Sequence, residues 1–122
     1  MLIVLVGFLG PTFSRVGAQN TQVKLTDKQA KELIASAKEP ADHQKLADYY
    51  RSKADEAKAA IAEHQEMLAA YGKKPSSHTL AKAVGGPTAM CKDLVRIYGQ
   101  EEKADLGLAA YHDKMAKEAD KP

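Results

Sequence analysis

The chain contains an internal repeat, and this feature limits its possible folds more than any other. Segments 40–71 and 87–119 align when one is shifted by 48 positions along the sequence. The coinciding residues are Leu46 and Leu94, Tyr50 and Tyr98, Ala62 and Ala110, His64 and His112, and Met67 and Met115. His43 of the first segment aligns with Cys91 of the second. This self-similarity indicates that one structural unit has been duplicated.

Both segments have the periodicity of long α-helices. In the first segment, apolar, aromatic and histidine residues recur at alternating spacings of four and three, which is the heptad pattern of long, nearly aligned helices. These residues are His43, Ala47, Tyr50, Ala54, Ala57, Ile61, His64, Leu68 and Tyr71. Pro40 suits a first helical turn, Gly72 suits a helix end, and Pro87 begins the second segment. The sequence therefore predicts helices over 40–71 and 87–119.

A shorter helix is predicted before them, over 26–38. Thr26 with Gln29 three positions later forms the pattern of a capping box. Apolar residues then recur at helical spacing until Pro40 interrupts the pattern.

Two long helices joined by a short connection are expected to pack antiparallel. We therefore predict an all-α fold, an antiparallel helical hairpin built by internal duplication plus a short N-terminal helix. Residues 19–122 contain no Phe and no Trp, so the core of this single helical domain must be thin and rich in alanine. A homodimer that completes a four-helix bundle would add the apolar contacts that the monomer lacks.

The N-terminus has the pattern of an export signal. Residues 1–9 are almost wholly apolar, and Val16-Gly17-Ala18 forms a small-residue cleavage pattern before Gln19. We expect a signal peptide over 1–18, a periplasmic or secreted mature protein, and no stable membrane insertion after signal removal. A retained membrane anchor is the alternative, but the apolar run is shorter than the roughly 20 residues of a spanning helix.

The charge of the chain argues against nucleic-acid binding. Its 18 basic and 16 acidic residues give a formal net charge of +2. This near balance provides no long-range field that would attract nucleic acid. We therefore expect no nucleic-acid partner.

The duplication also predicts which side chains meet across the hairpin. Under its pseudo-twofold axis, the sequence numbers of two residues that face each other add up to a constant. The aligned repeats give 155 for this constant, which we call the index sum. His43 then faces His112, His64 faces Cys91, and Tyr50 lies opposite Asp105. Methionines one helical turn further along extend the pairs into two clusters. These clusters are His43, His112 and Met115 at one end, and His64, Met67 and Cys91 at the other.

Imidazole combined with thioether or thiolate is a ligand set for a soft metal such as copper, especially Cu(I). Haem is disfavoured, because the chain has no Cys-x-x-Cys-His motif and the mature part has no Phe or Trp to enclose a porphyrin. Zinc usually requires more protein ligands than either cluster offers.

Two interpretations without a metal stay open. In the first, the bundle is structural or binds a protein partner, and the histidines and methionines fill the helix interface. In the second, His64 activates the thiol of Cys91 for redox chemistry, although the sequence has no motif for an orienting group or an oxyanion hole.

One resemblance rests on the repeated stretches themselves. Residues 46–50 through 63–67, echoed by 91–94 through 112–116, resemble a class of small, exported, Ala-rich bacterial helical proteins that is uncharacterised. The resemblance implies a secreted helical hairpin. It implies no activity, cofactor or catalytic residue.

Overall fold

The computed structural model describes residues 24–73 and 85–121, and within these ranges all regular structure is helical. Helix α1 spans Asp27–Ser36, α2 spans Pro40–Tyr71 and α3 spans Gly86–Ala119. The predicted signal segment 1–18 lies outside the described residues. In the part of the chain that the structure describes, no helix has both the length and the apolar character needed to cross a membrane.

Helices α2 and α3 pack along their length as an antiparallel hairpin. His43 near the start of α2 meets His112 near the end of α3, whereas His64 further along α2 meets Tyr98, which lies earlier in α3. Partner numbers fall along α3 as they rise along α2, and the predicted all-α hairpin is therefore confirmed.

Helix α1 packs on α2 and begins with the predicted capping box. The Thr26 hydroxyl accepts a hydrogen bond from the backbone N–H of Gln29, and the Gln29 side chain accepts one from the backbone N–H of Thr26. Two further bonds hold the start of α1 against α2: Lys24 pairs with Glu56 at 2.6 Å, and the Tyr49 hydroxyl donates to Asp27 at 3.0 Å.

The helix boundaries differ slightly from the sequence prediction. Helix α1 ends at Ser36 rather than at residue 38, because Ala37 has left the helical region, with φ −58° and ψ 123°. Glu39 is extended as well, as expected for a residue whose backbone must avoid the ring of a following proline. Helix α3 begins at Gly86, one residue earlier than predicted, after Gly85 has turned the chain at φ 79°. The positive φ requires glycine at that turn.

The core of the described residues is small and dominated by alanine. Its apolar members are Ala30, Leu46, Ala47, Ala54, Ala57, Cys91 and Ala109. Leu46 is the one large side chain among them that is completely enclosed. Alanine allows the two long helices to approach closely, but each alanine buries little apolar surface. The hairpin therefore depends on a few larger contacts between α2 and α3.

Candidate functional site

The imidazoles of His43 and His112 meet across the hairpin near its open end. Their Nδ1 atoms are 3.2 Å apart, and the ring centroids lie 5.4 Å apart at an interplanar angle of 26°. The two residues are only 9% and 8% exposed, and they are the buried polar residues of the described chain. The structure thus brings together two of the predicted site residues, at the index sum of 155 that the duplication gives.

Tyrosine rings enclose the His112 side of this pair. Tyr50 stacks on His112 with centroids 5.7 Å apart and planes within 8° of parallel, and Tyr111 approaches the same imidazole edge-on at 5.3 Å. The duplication predicted Tyr50 opposite Asp105, and in the structure the Tyr50 ring stacks on His112. Helical side chains lean toward the N-terminus of their own helix. In an antiparallel pair Tyr50 and His112 therefore lean toward each other.

The surroundings of His112 favour its neutral form. Burial lowers the pKa of His112, and the neighbouring His43 lowers it further. A neutral imidazole keeps an unprotonated ring nitrogen, which is able to accept a hydrogen bond or bind a metal ion. The pair is therefore suited either to a hydrogen bond between neutral rings or to shared metal coordination.

An ion-pair network fixes α2 against α3 beside the histidines. The Arg51 guanidinium donates to Asp113 of α3, the residue after His112, and to Asp48 of its own helix at 2.7 Å. The hydrogen bond to Asp113 is the main reason why the pKa of Arg51 is raised. Sequence reasoning missed this network. The index sum of 155 does not pair Arg51 with Asp113, and the two meet because both side chains lean toward the N-terminus of their own helix.

At the other end of the hairpin, His64 stacks on Tyr98 with centroids 5.7 Å apart and planes 12° from parallel. This stack is the repeat equivalent of Tyr50 on His112, since Tyr98 aligns with Tyr50 and His64 with His112. Nδ1 of His64 is buried and has no hydrogen-bond partner among the described residues. Cys91, which takes the place of His43 in this repeat, is a buried free thiol. Within the predicted cluster of His64, Met67 and Cys91, no hydrogen bond to Nδ1 of His64 is therefore formed.

The donor set at the paired histidines is small. The described residues include no group of three or more His, Cys, Asp or Glu side chains arranged to hold a metal ion. Met115, the third member of the predicted cluster, is partly buried one turn beyond His112 on α3. Two imidazole nitrogens and a nearby thioether are therefore what this end offers to a metal.

An open groove lies at the same end of the hairpin. It runs between the first turns of α2 and the last turns of α3. Its lining includes Gln44 and Asp113, which directly follow His43 and His112 in the sequence. Its lining residues are Pro40, Ala41, Gln44, Asp113, Ala116, Lys117 and Asp120. The lining therefore combines apolar side chains with polar and charged ones.

Comparison of the chain with protein-family models, with curated proteins and with solved structures gave no match. The candidate site is therefore defined by its geometry and by the internal repeat.

Proposed function

We propose that this protein is an exported helical bundle that binds a soft metal ion, copper in the Cu(I) state in particular. The proposed ligands are the imidazoles of His43 and His112, with the thioether of Met115 as the third donor. The observation that carries the proposal is the separation of 3.2 Å between two buried Nδ1 atoms from opposite helices.

This separation suits two ligands of one metal ion. Imidazole nitrogens bind metals such as zinc at about 2.0 Å, so two of them at a tetrahedral angle lie roughly 3.3 Å apart. The ring nitrogens need only turn toward a common point, and the second side-chain torsion of histidine has broad minima that permit this. Burial adds to the fit, since the lowered pKa of His112 leaves its nitrogen unprotonated at neutral pH.

The donor types favour copper over other metals. Thioether sulfur is a soft ligand that selects Cu(I), and imidazole also suits copper. Structural zinc sites use four protein ligands, and this end of the hairpin offers fewer. Magnesium and calcium require oxygen ligands. The nearby carboxylate of Asp113 is already paired with Arg51.

A second site at the other end of the hairpin is part of the same proposal. His64, Met67 and Cys91 would supply an imidazole, a thioether and a thiolate. The support for this site is the buried Nδ1 of His64, which has no hydrogen-bond partner among the described residues. Cys91 is the repeat equivalent of His43 and His64 is that of His112, and this equivalence supports the second site.

Titration of the full-length protein with Cu(I), in competition with a chromogenic chelator and without oxygen, tests the proposal. We expect binding with a Kd of about 1 μM or tighter. His43→Gln and His112→Gln should each weaken binding at that end at least about tenfold, because one of two nitrogen ligands is lost. Met115→Leu should weaken it less. Leu106→Ala is the control, since Leu106 belongs to neither cluster, lies on another face of α3 and is 49% exposed.

Parallel titrations with Cu(II), Zn(II) and haem define the selectivity. A protein that binds neither Cu(I) nor any of these three would overturn the proposal. Cu(I) binding that is unchanged in both the His43→Gln and the His112→Gln variants would overturn it as well. The alternative function is then a helical bundle that binds a protein partner without metal. A specific observation favours that alternative, namely the exposed apolar residues of α3.

A further inference from the structure

Helix α3 carries an apolar stripe along the side that borders its α2-facing surface, with Leu94 and Met115 partly buried at this border. We define the α3 stripe as Met90, Leu94, Ile97, Ala104, Leu108, Tyr111 and Met115, which recur at heptad spacings. Four of its large members are well exposed: Met90 at 65%, Ile97 at 46%, Leu108 at 40% and Tyr111 at 55%. Exposed apolar residues in one continuous row, rather than scattered singly, indicate an interaction surface.

The first repeat shows how an equivalent face is covered. Tyr49 and Glu56 of α2 align with Ile97 and Ala104 of the α3 stripe. In the first repeat these positions contact the α1 region, since Tyr49 donates to Asp27 and Glu56 pairs with Lys24. The repeat equivalent of α1, residues 75–84, lies outside the described residues, and among the residues that are described only α2 packs on α3. The second repeat instead has apolar residues where the first has residues bonded to the α1 region.

We propose that the α3 stripe is the interface of a symmetric homodimer, in which α3 packs antiparallel against α3 of a second copy. When the two copies of the stripe run antiparallel, apolar residues face each other if the sequence numbers of facing residues add up to 205. Ile97 then faces the partner's Leu108, Leu94 faces the partner's Tyr111, and Met90 faces the partner's Met115. Each contact occurs twice, as an isologous twofold interface requires. Antiparallel coiled helices alternate their apolar layers in this way.

Charges beside the stripe fit the same arrangement. Asp93 flanks one end of the stripe and Lys114 flanks the other. Both side chains are largely exposed, although each also forms a loose ion pair within α3, with Arg96 and Glu118 respectively. An antiparallel partner brings Asp93 of each copy next to Lys114 of the other, whereas a parallel partner would place like charges together. Complementary flanking charges of this kind set the orientation of paired helices.

A charged residue, Glu101, lies between the members Ile97 and Ala104 of the α3 stripe, where it opposes association and supplies a test. Glu101 lies in the middle of the row and is exposed. In the dimer it faces the partner's Ala104, close to the twofold axis and to the partner's Glu101. A charged residue at such a position weakens the interface while it restricts the register. Replacing it by an apolar residue should therefore strengthen the dimer.

Sedimentation analysis of the full-length protein over a range of concentrations tests the proposal. A reductant excludes disulfides through Cys91. We expect a reversible monomer–dimer equilibrium in which Leu108→Lys or Ile97→Lys raises the Kd at least about tenfold. Glu101→Leu should lower the Kd. The matched control is Leu106→Lys, because Leu106 is 49% exposed but lies on another face of α3, and it should leave the Kd unchanged.

Cross-linking in a Cys91→Ala background tests the register. A mixture of the Ile97→Cys and Leu108→Cys proteins should form the mixed disulfide much faster than a mixture of Ile97→Cys with Leu106→Cys. A protein that is monomeric at its highest soluble concentration would overturn the proposal. A dimer that resists both lysine substitutions of the stripe would overturn it as well.

Discussion

At the open end of the hairpin, burial and the neighbouring His43 lower the pKa of His112 and so favour its neutral form. The Nδ1 atoms of the two histidines lie 3.2 Å apart in a place with little access to water. Protonation of His112 would place a positive charge in this poorly solvated site, which is costly. The stability of the hairpin should therefore depend on pH through His112.

We predict that the protein loses stability as the pH falls below the ordinary histidine pKa of 6.5. The folded pKa of His112 is lowered by burial and by His43, so the unfolded chain takes up protons at a higher pH than the folded protein. The stabilising contribution is complete above the unfolded pKa and is lost as the pH falls through the folded pKa. Urea unfolding at about pH 8 and about pH 5 measures this difference.

Substitution of His112 should remove this dependence. His112→Gln is expected to make the free energy of unfolding less sensitive to pH across this window. His64→Gln, its repeat equivalent on the same helical pattern, should keep the dependence that His112 causes. Equal pH dependence in the wild type and in His112→Gln would contradict this role of His112.

At the scale of the helices, short-range signals in the sequence predicted most of what the structure contains. The Thr26 cap, the Pro40 start of α2 and the end of α2 at Tyr71 follow from local chemistry, and all of them are present. The end of α1 was less predictable, because Ala37 is itself a good helix former. The approach to Pro40 ends that helix early, and the sequence pattern alone does not show how many residues this affects.

We predict that Thr26→Ala loosens α1 without disrupting the hairpin. The substitution removes a side-chain cap and half of the capping box, a change worth about 1 kcal/mol. Because α1 contacts only α2 within the described residues, its amides should exchange faster with deuterium while those of α2 and α3 keep their protection. Thr88→Ala, at the start of α3 where no side-chain cap bond forms, is the control. Equally faster exchange in all the helices would contradict this prediction.

For the whole molecule, the internal repeat predicted the antiparallel arrangement and the meeting of His43 with His112. It did not predict the two tyrosine–histidine stacks, although it contained their signal. Tyr50 and His64, and likewise Tyr98 and His112, are 14 positions apart in each repeat. The index sum treats residues as points on the helix axis, whereas side chains lean toward the helix N-terminus. The Arg51–Asp113 ion pair depends on the same displacement and was missed for the same reason.

The two repeats are not equivalent in burial, and this asymmetry gives a stability prediction. Leu46 is completely buried, whereas its repeat equivalent Leu94 is only partly buried. Leu46→Ala should lower the free energy of unfolding by about 2–5 kcal/mol, because it leaves a cavity in a core that is mostly alanine. Leu94→Ala should cost less. Chemical unfolding of both variants measures the difference, and equal losses would contradict the described packing.

The most direct test of the central claim, that the duplication brings His43 and His112 together as one metal-binding pair, is an NMR titration of the imidazole signals with Cu(I). The account predicts cross-relaxation between the His43 and His112 rings before metal is added, and simultaneous shifts of both ring signals as the first ion binds. Imidazoles of His43 and His112 that show no mutual contact, or that keep their shifts while copper binds elsewhere, would contradict it.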